Sequence, residues 1–216
     1  MTMKSNFQNR RINWVRRLII IIGIALLHVL SYYLANLINS QRPSVLFCDF
    51  WTIIDSWIPY LGWTWVFYYF GDIYITLWAA VIVWKLPDMK FRRVIYAYCG
   101  MIITGALLQI IFPGKAPWPK DLIGPQQFMH NLISMRPYAC VPSMHVALTV
   151  LPACILLSES KSLWIKVFST LIAILITVST LTLKEHFFLD AVTGLLLGLV
   201  FFGVWQFSPW KRREIK

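Results

Sequence analysis

Six apolar runs, at residues 18–38, 61–84, 94–112, 141–158, 163–183 and 187–208, leave this chain of 216 residues little to fold into except a bundle of membrane-crossing helices. Each is roughly 18 to 24 residues long, and about 20 apolar residues of helix cross a hydrocarbon core about 30 Å thick. Lipid offers the backbone no hydrogen bonds, so a spanning segment must satisfy its own, which an α-helix does. The expected class is therefore all-α, a polytopic membrane protein with six transmembrane helices. Composition agrees: 58% hydrophobic and 13% charged residues, with a mean hydropathy of +0.64, are outside the range of a soluble domain. Pro43, Pro59, Pro87, Pro113, Pro117, Pro119, Pro125, Pro137, Pro142 and Pro209 lie at or outside the run ends. Pro152 alone is interior and is expected to kink the short fourth span rather than end it.

The formal net charge of +11 could suit nucleic acid, but the basic residues stand in short clusters between apolar runs rather than along one polar face. They read as topology signals, and no nucleic-acid partner is expected. With the amino terminus placed inside, Lys4, Arg10, Arg11, Arg16, Arg17, Lys85, Lys90, Arg92, Arg93, Lys161, Lys166, Lys211, Arg212, Arg213 and Lys216 fall on the cytoplasmic side, 15 of the 20 Lys and Arg residues. The expected organisation is a basic cytoplasmic segment at 1–17, a six-helix membrane domain at 18–208 and a basic cytoplasmic tail at 209–216. The first run is longer than a signal-peptide core and no small-residue cleavage site follows it, so it reads as an uncleaved span. The longest polar connection, 113–140, leaves no room for a second domain. Short loops and small size point to a bacterial inner membrane.

Inside the spans, His28 and Asp72 fall at similar depth and read as a structural pair, with a proton or substrate relay as the sharper alternative. Gly194 and Gly198 form a small-xxx-small spacing that lets a neighbouring helix approach closely. Cys48, Cys99, Cys140 and Cys154 show no metal-ligand spacing, so no zinc site is expected. Cys48 and Cys140 fall in loops on one side, where a disulfide between them is open but not required.

Five cations, Arg42, Lys115, Lys120, Arg136 and Lys184, fall on the outer side against the topology rule. Four of them lie in the two loops that hold every group suited to chemistry. In residues 184–190, His186 and Asp190 are four apart; on a helix already begun, that spacing stacks them on one face and lets a carboxylate orient an imidazole. The plainer reading is an interfacial His and Asp closing a loop. Residues 136–145 add Arg136, Ser143 and His145, and residues 115–118 add Lys115. With Pro142 in the first turn of the fourth span, Ser143 would sit beside outward amides that bind an anion. Lys115, Arg136 and Lys184 make that anion a phosphate. Two histidines then suit phosphoryl transfer through the enzyme: His186 attacks phosphorus, Asp190 fixes its tautomer, and His145 protonates the departing alkoxide and later activates water or an alcohol. The chemistry demands no metal or cofactor.

Pro142-Ser143-Met144-His145 with His186-x-x-x-Asp190 resembles the type 2 phosphatidic acid phosphatase superfamily, from about Asp55 onward. Methionine at the second motif's glycine position is similar to the branch that contains inositol phosphorylceramide synthases, as are Asp55-x-x-Ile58-Pro59 and Gly114-Lys115-Ala116-Pro117-Trp118. The superfamily's first motif, Lys-x6-Arg-Pro, is not present. In its third, Ser179 matches while Thr180 stands where an arginine is expected; Lys184 could compensate as a point charge. The resemblance implies catalytic His186, His145 and Asp190, and phosphate binding by Ser143, Lys115, Arg136 and Lys184. It implies a lipid phosphate or pyrophosphate phosphohydrolase, with the site at the non-cytoplasmic membrane boundary. Two alternatives stay open: a lipid phosphotransferase with an alcohol as acceptor, and a non-catalytic lipid-binding or transport protein.

Overall fold

The computed structural model describes residues 3–71, 73–74, 86–118, 127–128 and 138–208, all helix, turn and loop with no strand among them. Six helices are labelled α1 (Met3–Ser40), α2 (Ile53–Trp57), α3 (Asp88–Ile111), α4 (Met144–Glu159), α5 (Leu163–Thr182) and α6 (Phe188–Phe207). Residues 65–71 are also helical, at the start of the expected second span. Among the described residues, four segments are long and apolar enough to cross a membrane: Trp14–Ser40, α3, α5 and α6. The fourth expected span is the shorter α4, and most of the second, with Asp72 and hence the His28–Asp72 pairing, lies outside the described residues. The protein is thus an all-α membrane protein, and the count of six spans is not reached among the described residues.

Helix ends explain the shifts from the expected boundaries. α3 begins six residues before the expected 94 because Pro87 starts it and its charged first turns find partners. Asp88 pairs with Arg17 of α1, Lys90 Nζ donates to Glu159 Oε2 of α4 at 2.6 Å, and the Arg93 guanidinium donates to the Trp205 carbonyl at the end of α6. Arg93 is 3% exposed and lies over the Trp205 ring, 5.0 Å from its centroid. A cation there satisfies carbonyls that α6 leaves unpaired.

The same contacts fix the helix directions. α1 and α3 run parallel, joined at one end by Arg17 and Asp88 and at the other by Asn39 Nδ2, which donates to the Gln109 carbonyl at 2.9 Å. Gln109 Nε2 then donates to the Pro142 carbonyl at 3.1 Å, just before α4 starts, so α4 descends against α3. The starts of α4 and α6 and the end of α5 consequently share one end of the bundle. Arg16, Arg17, Lys90, Arg92, Arg93 and Lys161 lie at the other.

α4 is apolar along most of its length, with His145 in its first turn and Glu159 at its end, and it packs against α3, α5 and α6. Val146, Leu148, Leu151 and Ile155 on it, with Met101 and Ile102 of α3 and Trp205 of α6, are 2% exposed or less. Pro152 lies inside it, as expected. α6 reaches α4 through glycine: a Cβ at Gly194 would strike the Ser143 carbonyl, and one at Gly198 would lie 2.9 Å from Val150 Cβ. On the outside, Leu30 of α1, Leu171, Ile174 and Val178 of α5, and Val200 and Val204 of α6 are exposed, the arrangement of helices that face lipid.

Candidate functional site

α5 ends in a turn that delivers His186. Leu183 closes the helix, and Lys184 turns the chain at φ 59°, in the left-handed region. The Lys184 N–H then donates to the Leu181 carbonyl, and the Glu185 N–H to that of Thr180, both at 3.1 Å. This is a Schellman turn with lysine at the position glycine usually takes, at a cost of about 1–2 kcal/mol for the side chain. The His186 N–H donates to the Thr180 carbonyl as well, at 3.2 Å.

Two residues later α6 begins, so His186 precedes the helix and the pair does not share a helical face as expected. The i, i+4 relation works another way. Asp190, in the first turn and fully buried, turns its carboxylate back over the helix start. Its Oδ2 accepts the Phe187 N–H at 3.0 Å and lies 3.2 Å from His186 Nδ1. Here Phe187, in extended conformation, is the N-cap of α6, so the helix starts at Phe188 and leaves His186 in the turn. The His186 side chain is 8% exposed, so the imidazole meets this carboxylate away from bulk water.

α4 brings its start to the same place. Ser143 is its N-cap and Pro142 stands before it, outside the first turn where it was expected. The Ser143 N–H donates to the Asp190 carbonyl at 2.9 Å, which ties the two helix starts together. Ser143 is fully buried, and its Oγ has no hydrogen-bond partner among the described residues. The first amides of α4 likewise have no partners within the helix. The His145 ring lies 6.0 Å from that of His186, inclined at 62°, and 4.3 Å from the Tyr68 ring, tilted at 32°. Met144 fits a notch on α3 that Gly105 leaves open, since a Cβ at Gly105 would strike its sulfur.

The cations are placed differently from one another. Lys184, expected at the phosphate, gives its ammonium to the backbone carbonyls of Asp55, at 3.1 Å, and Ile58, at 2.6 Å. Desolvation lowers its pKa from the ordinary lysine value, and the Asp55 charge opposes that shift. Lys115 Nζ stands 4.4 Å from the centroid of the Phe47 ring. Arg136 lies outside the described residues. Cys48 and Cys140 are both thiols, so the disulfide between them is not formed.

The segment around α2 proves to be the support of the His186 turn. Asp55 Oδ2 accepts the Thr52 N–H at 2.8 Å and its hydroxyl at 2.7 Å, which caps the five-residue α2. Its Oδ1 accepts the Phe188 N–H at 2.8 Å, at the start of α6. Nearby, the Leu61 N–H donates to the Thr182 carbonyl and Thr64 Oγ1 meets Thr182 Oγ1, each at 2.9 Å. Trp118 Nε1 donates to Glu185 Oε2 at 2.7 Å, which ties the 113–118 segment to the same turn. Sequence reasoning gave Asp55 no role at the site and missed Tyr68 altogether. The signal that was available for Asp55 was a carboxylate three residues after a threonine, a capping pattern before an apolar run.

A family model described as the PAP2 superfamily matches residues 44–204, well over half of the chain. An inositol phosphorylceramide synthase of Candida albicans is similar, 27% identical over 188 residues, 73% of this chain and 36% of that protein. The chain thus spans little more than a third of that relative's length. Among solved structures, that of Aquifex aeolicus LpxE has the same fold, with a TM-score of 0.52 at 21% identity, covering 81% of this chain and 93% of the other.

Proposed function

The chain belongs to the PAP2 superfamily, and from that membership we propose that it is a lipid phosphate or pyrophosphate phosphohydrolase acting through a phosphohistidine on His186. The observation that carries the reading is the pairing of His186 Nδ1 with a fully buried carboxylate at 3.2 Å, beside a second imidazole 6.0 Å away. With its Nδ1 proton held by Asp190, His186 presents the lone pair of Nε2. That nitrogen attacks phosphorus, the bond from phosphorus to the lipid oxygen breaks, and His145 gives the leaving oxygen its proton. Water that loses a proton to His145 then attacks phosphorus, and the phosphorus–nitrogen bond breaks with its electron pair returning to Nε2, which frees phosphate and His186. Ser143 Oγ and the first amides of α4 hold the phosphoryl oxygens, whose charge grows in the transition state. Lys115 and Arg136 supply positive charge, whereas Lys184 acts by holding the turn.

A second reading has its own support. Met144 and the likeness to an inositol phosphorylceramide synthase favour a phosphotransferase in which an alcohol takes the place of water. The membrane arrangement in both readings is six spans over 18–208, basic cytoplasmic ends at 1–17 and 209–216, and the site on the outer face of a bacterial inner membrane. Its support is the cluster of Lys and Arg at the end of the bundle opposite His186.

The deciding experiment supplies the purified chain in detergent with lipid monophosphates and diphosphates. Release of inorganic phosphate without an acceptor is the expected result; release only with an acceptor alcohol would favour the transferase. Absence of turnover on every lipid phosphate, with and without an alcohol, would overturn both.

A further inference from the structure

One more chemical group converges on the His186–Asp190 pair. Cys140 is fully buried, and its sulfur, a ring nitrogen of His186 and a carboxylate oxygen of Asp190 all lie within 4.8 Å of one another. Around a tetrahedral zinc ion with bonds of about 2.0–2.3 Å, ligand atoms stand about 3.3–3.8 Å apart, so shifts of about an ångström close the set. The donors are one thiol, one imidazole and one carboxylate, a combination that selects zinc over magnesium or calcium. A second observation points the same way. Asp190 Oδ1 is completely buried with no hydrogen-bond partner among the described residues, while Oδ2 carries both bonds to Phe187 and His186. A buried carboxylate oxygen without a donor is costly, and a cation would satisfy it. No spacing in the sequence announces this set, because the two helix starts bring it together.

We propose that Cys140, His186 and Asp190 form an inhibitory site for zinc or a similarly soft divalent cation. Binding is simple in its balance: the Cys140 thiol releases its proton to solvent, each ligand donates a lone pair, and nothing is oxidised or reduced. Once His186 and Asp190 serve the metal, the carboxylate no longer orients the imidazole and attack on phosphorus stops. The inhibition rests on the reading of His186 as nucleophile; the binding does not.

The test uses the full chain, purified metal-free in detergent and titrated with cobalt(II). A thiolate-to-cobalt absorption band that saturates at one equivalent and is displaced by zinc is expected. Cys140→Ser and Asp190→Asn each weaken cobalt binding about tenfold or more, and Cys48→Ser leaves it unchanged. The two ligand variants back each other should one fail to fold. In the activity arm, the zinc concentration that halves phosphate release, taken against each protein's own metal-free rate, rises about tenfold in Cys140→Ser. No band in the wild type, equal bands in the variants, or cobalt binding without zinc inhibition of an active enzyme would each overturn the proposal. A wild type that binds cobalt yet hydrolyses no lipid phosphate would instead defeat the phosphatase reading and leave the metal site standing.

Discussion

Asp55 Oδ1 accepts the backbone N–H of Phe188 at 2.8 Å, across 133 positions of chain, and fixes the first turn of α6 to α2. The other oxygen caps α2 itself, so one carboxylate sets the distance between two helix starts. Asp55→Ala leaves three donors without their acceptor, and the loss of bonds to a charged group costs about 2 kcal/mol. Thermal unfolding in detergent should fall accordingly. Turnover should fall further, because His186 lies two residues from the released end; unchanged kcat in a destabilised variant would show that the clamp serves stability alone.

Lys184 carries two effects that substitutions separate. Lys184→Ala removes the bonds to Asp55 and Ile58 but keeps a side chain at φ 59°. Lys184→Gly removes the same bonds and relieves the left-handed conformation, which is worth about 1 kcal/mol. The glycine variant should therefore be the more stable by that amount, with both equally impaired in turnover. Equal stability would mean that the lysine turn is not strained.

The proposed acid, His145, and the proposed nucleophile, His186, have distinct signatures. His186→Ala should be inactive, and Asp190→Asn should lower kcat by about ten-thousandfold through the wrong tautomer. His145→Ala, given a lipid-like phosphate with a good aryl leaving group, needs no acid for the first step but has no base for the second. It should accumulate acid-labile phosphate on the protein, detectable by mass analysis. A variant that turns over steadily without that adduct would exclude His145 as the group that activates water.

Packing beneath the site is tight at one glycine and open at another. Gly194→Ala places a methyl group against the Ser143 carbonyl and should cost about 1–3 kcal/mol, with a loss of activity. At Gly203 an added methyl group would meet nothing within 4 Å, so this position should accept alanine within about 0.5 kcal/mol. Equal melting temperatures for the two variants would contradict the close approach of α6 to α4.

How far the sequence could be read follows from the range of each interaction. Apolar run lengths located α1, α3, α4, α5 and α6, and their charge-sided ends put Ser143, His145, His186 and Asp190 together, because those signals are local or additive along the chain. The His186–Asp190 contact was anticipated for a different geometry, since the left-handed turn at Lys184 carries no glycine to announce it. Lys184 looked like a phosphate ligand because charge alone does not tell whether its partner is a ligand or a carbonyl 126 positions away. Tyr68 against His145 and Cys140 beside His186 are pairings of distant segments, and only the packing of helix ends makes them neighbours.

The enclosure of α4 gives the site an uneven footing. His145 and Ser143 ride on a helix surrounded by protein, while His186 hangs between α5 and α6, whose outer faces meet the bilayer. The gap between the two imidazoles is thus set from two sides, on one by the packing around α4 and on the other by the hydrogen bonds through which the α2 segment holds the turn before α6.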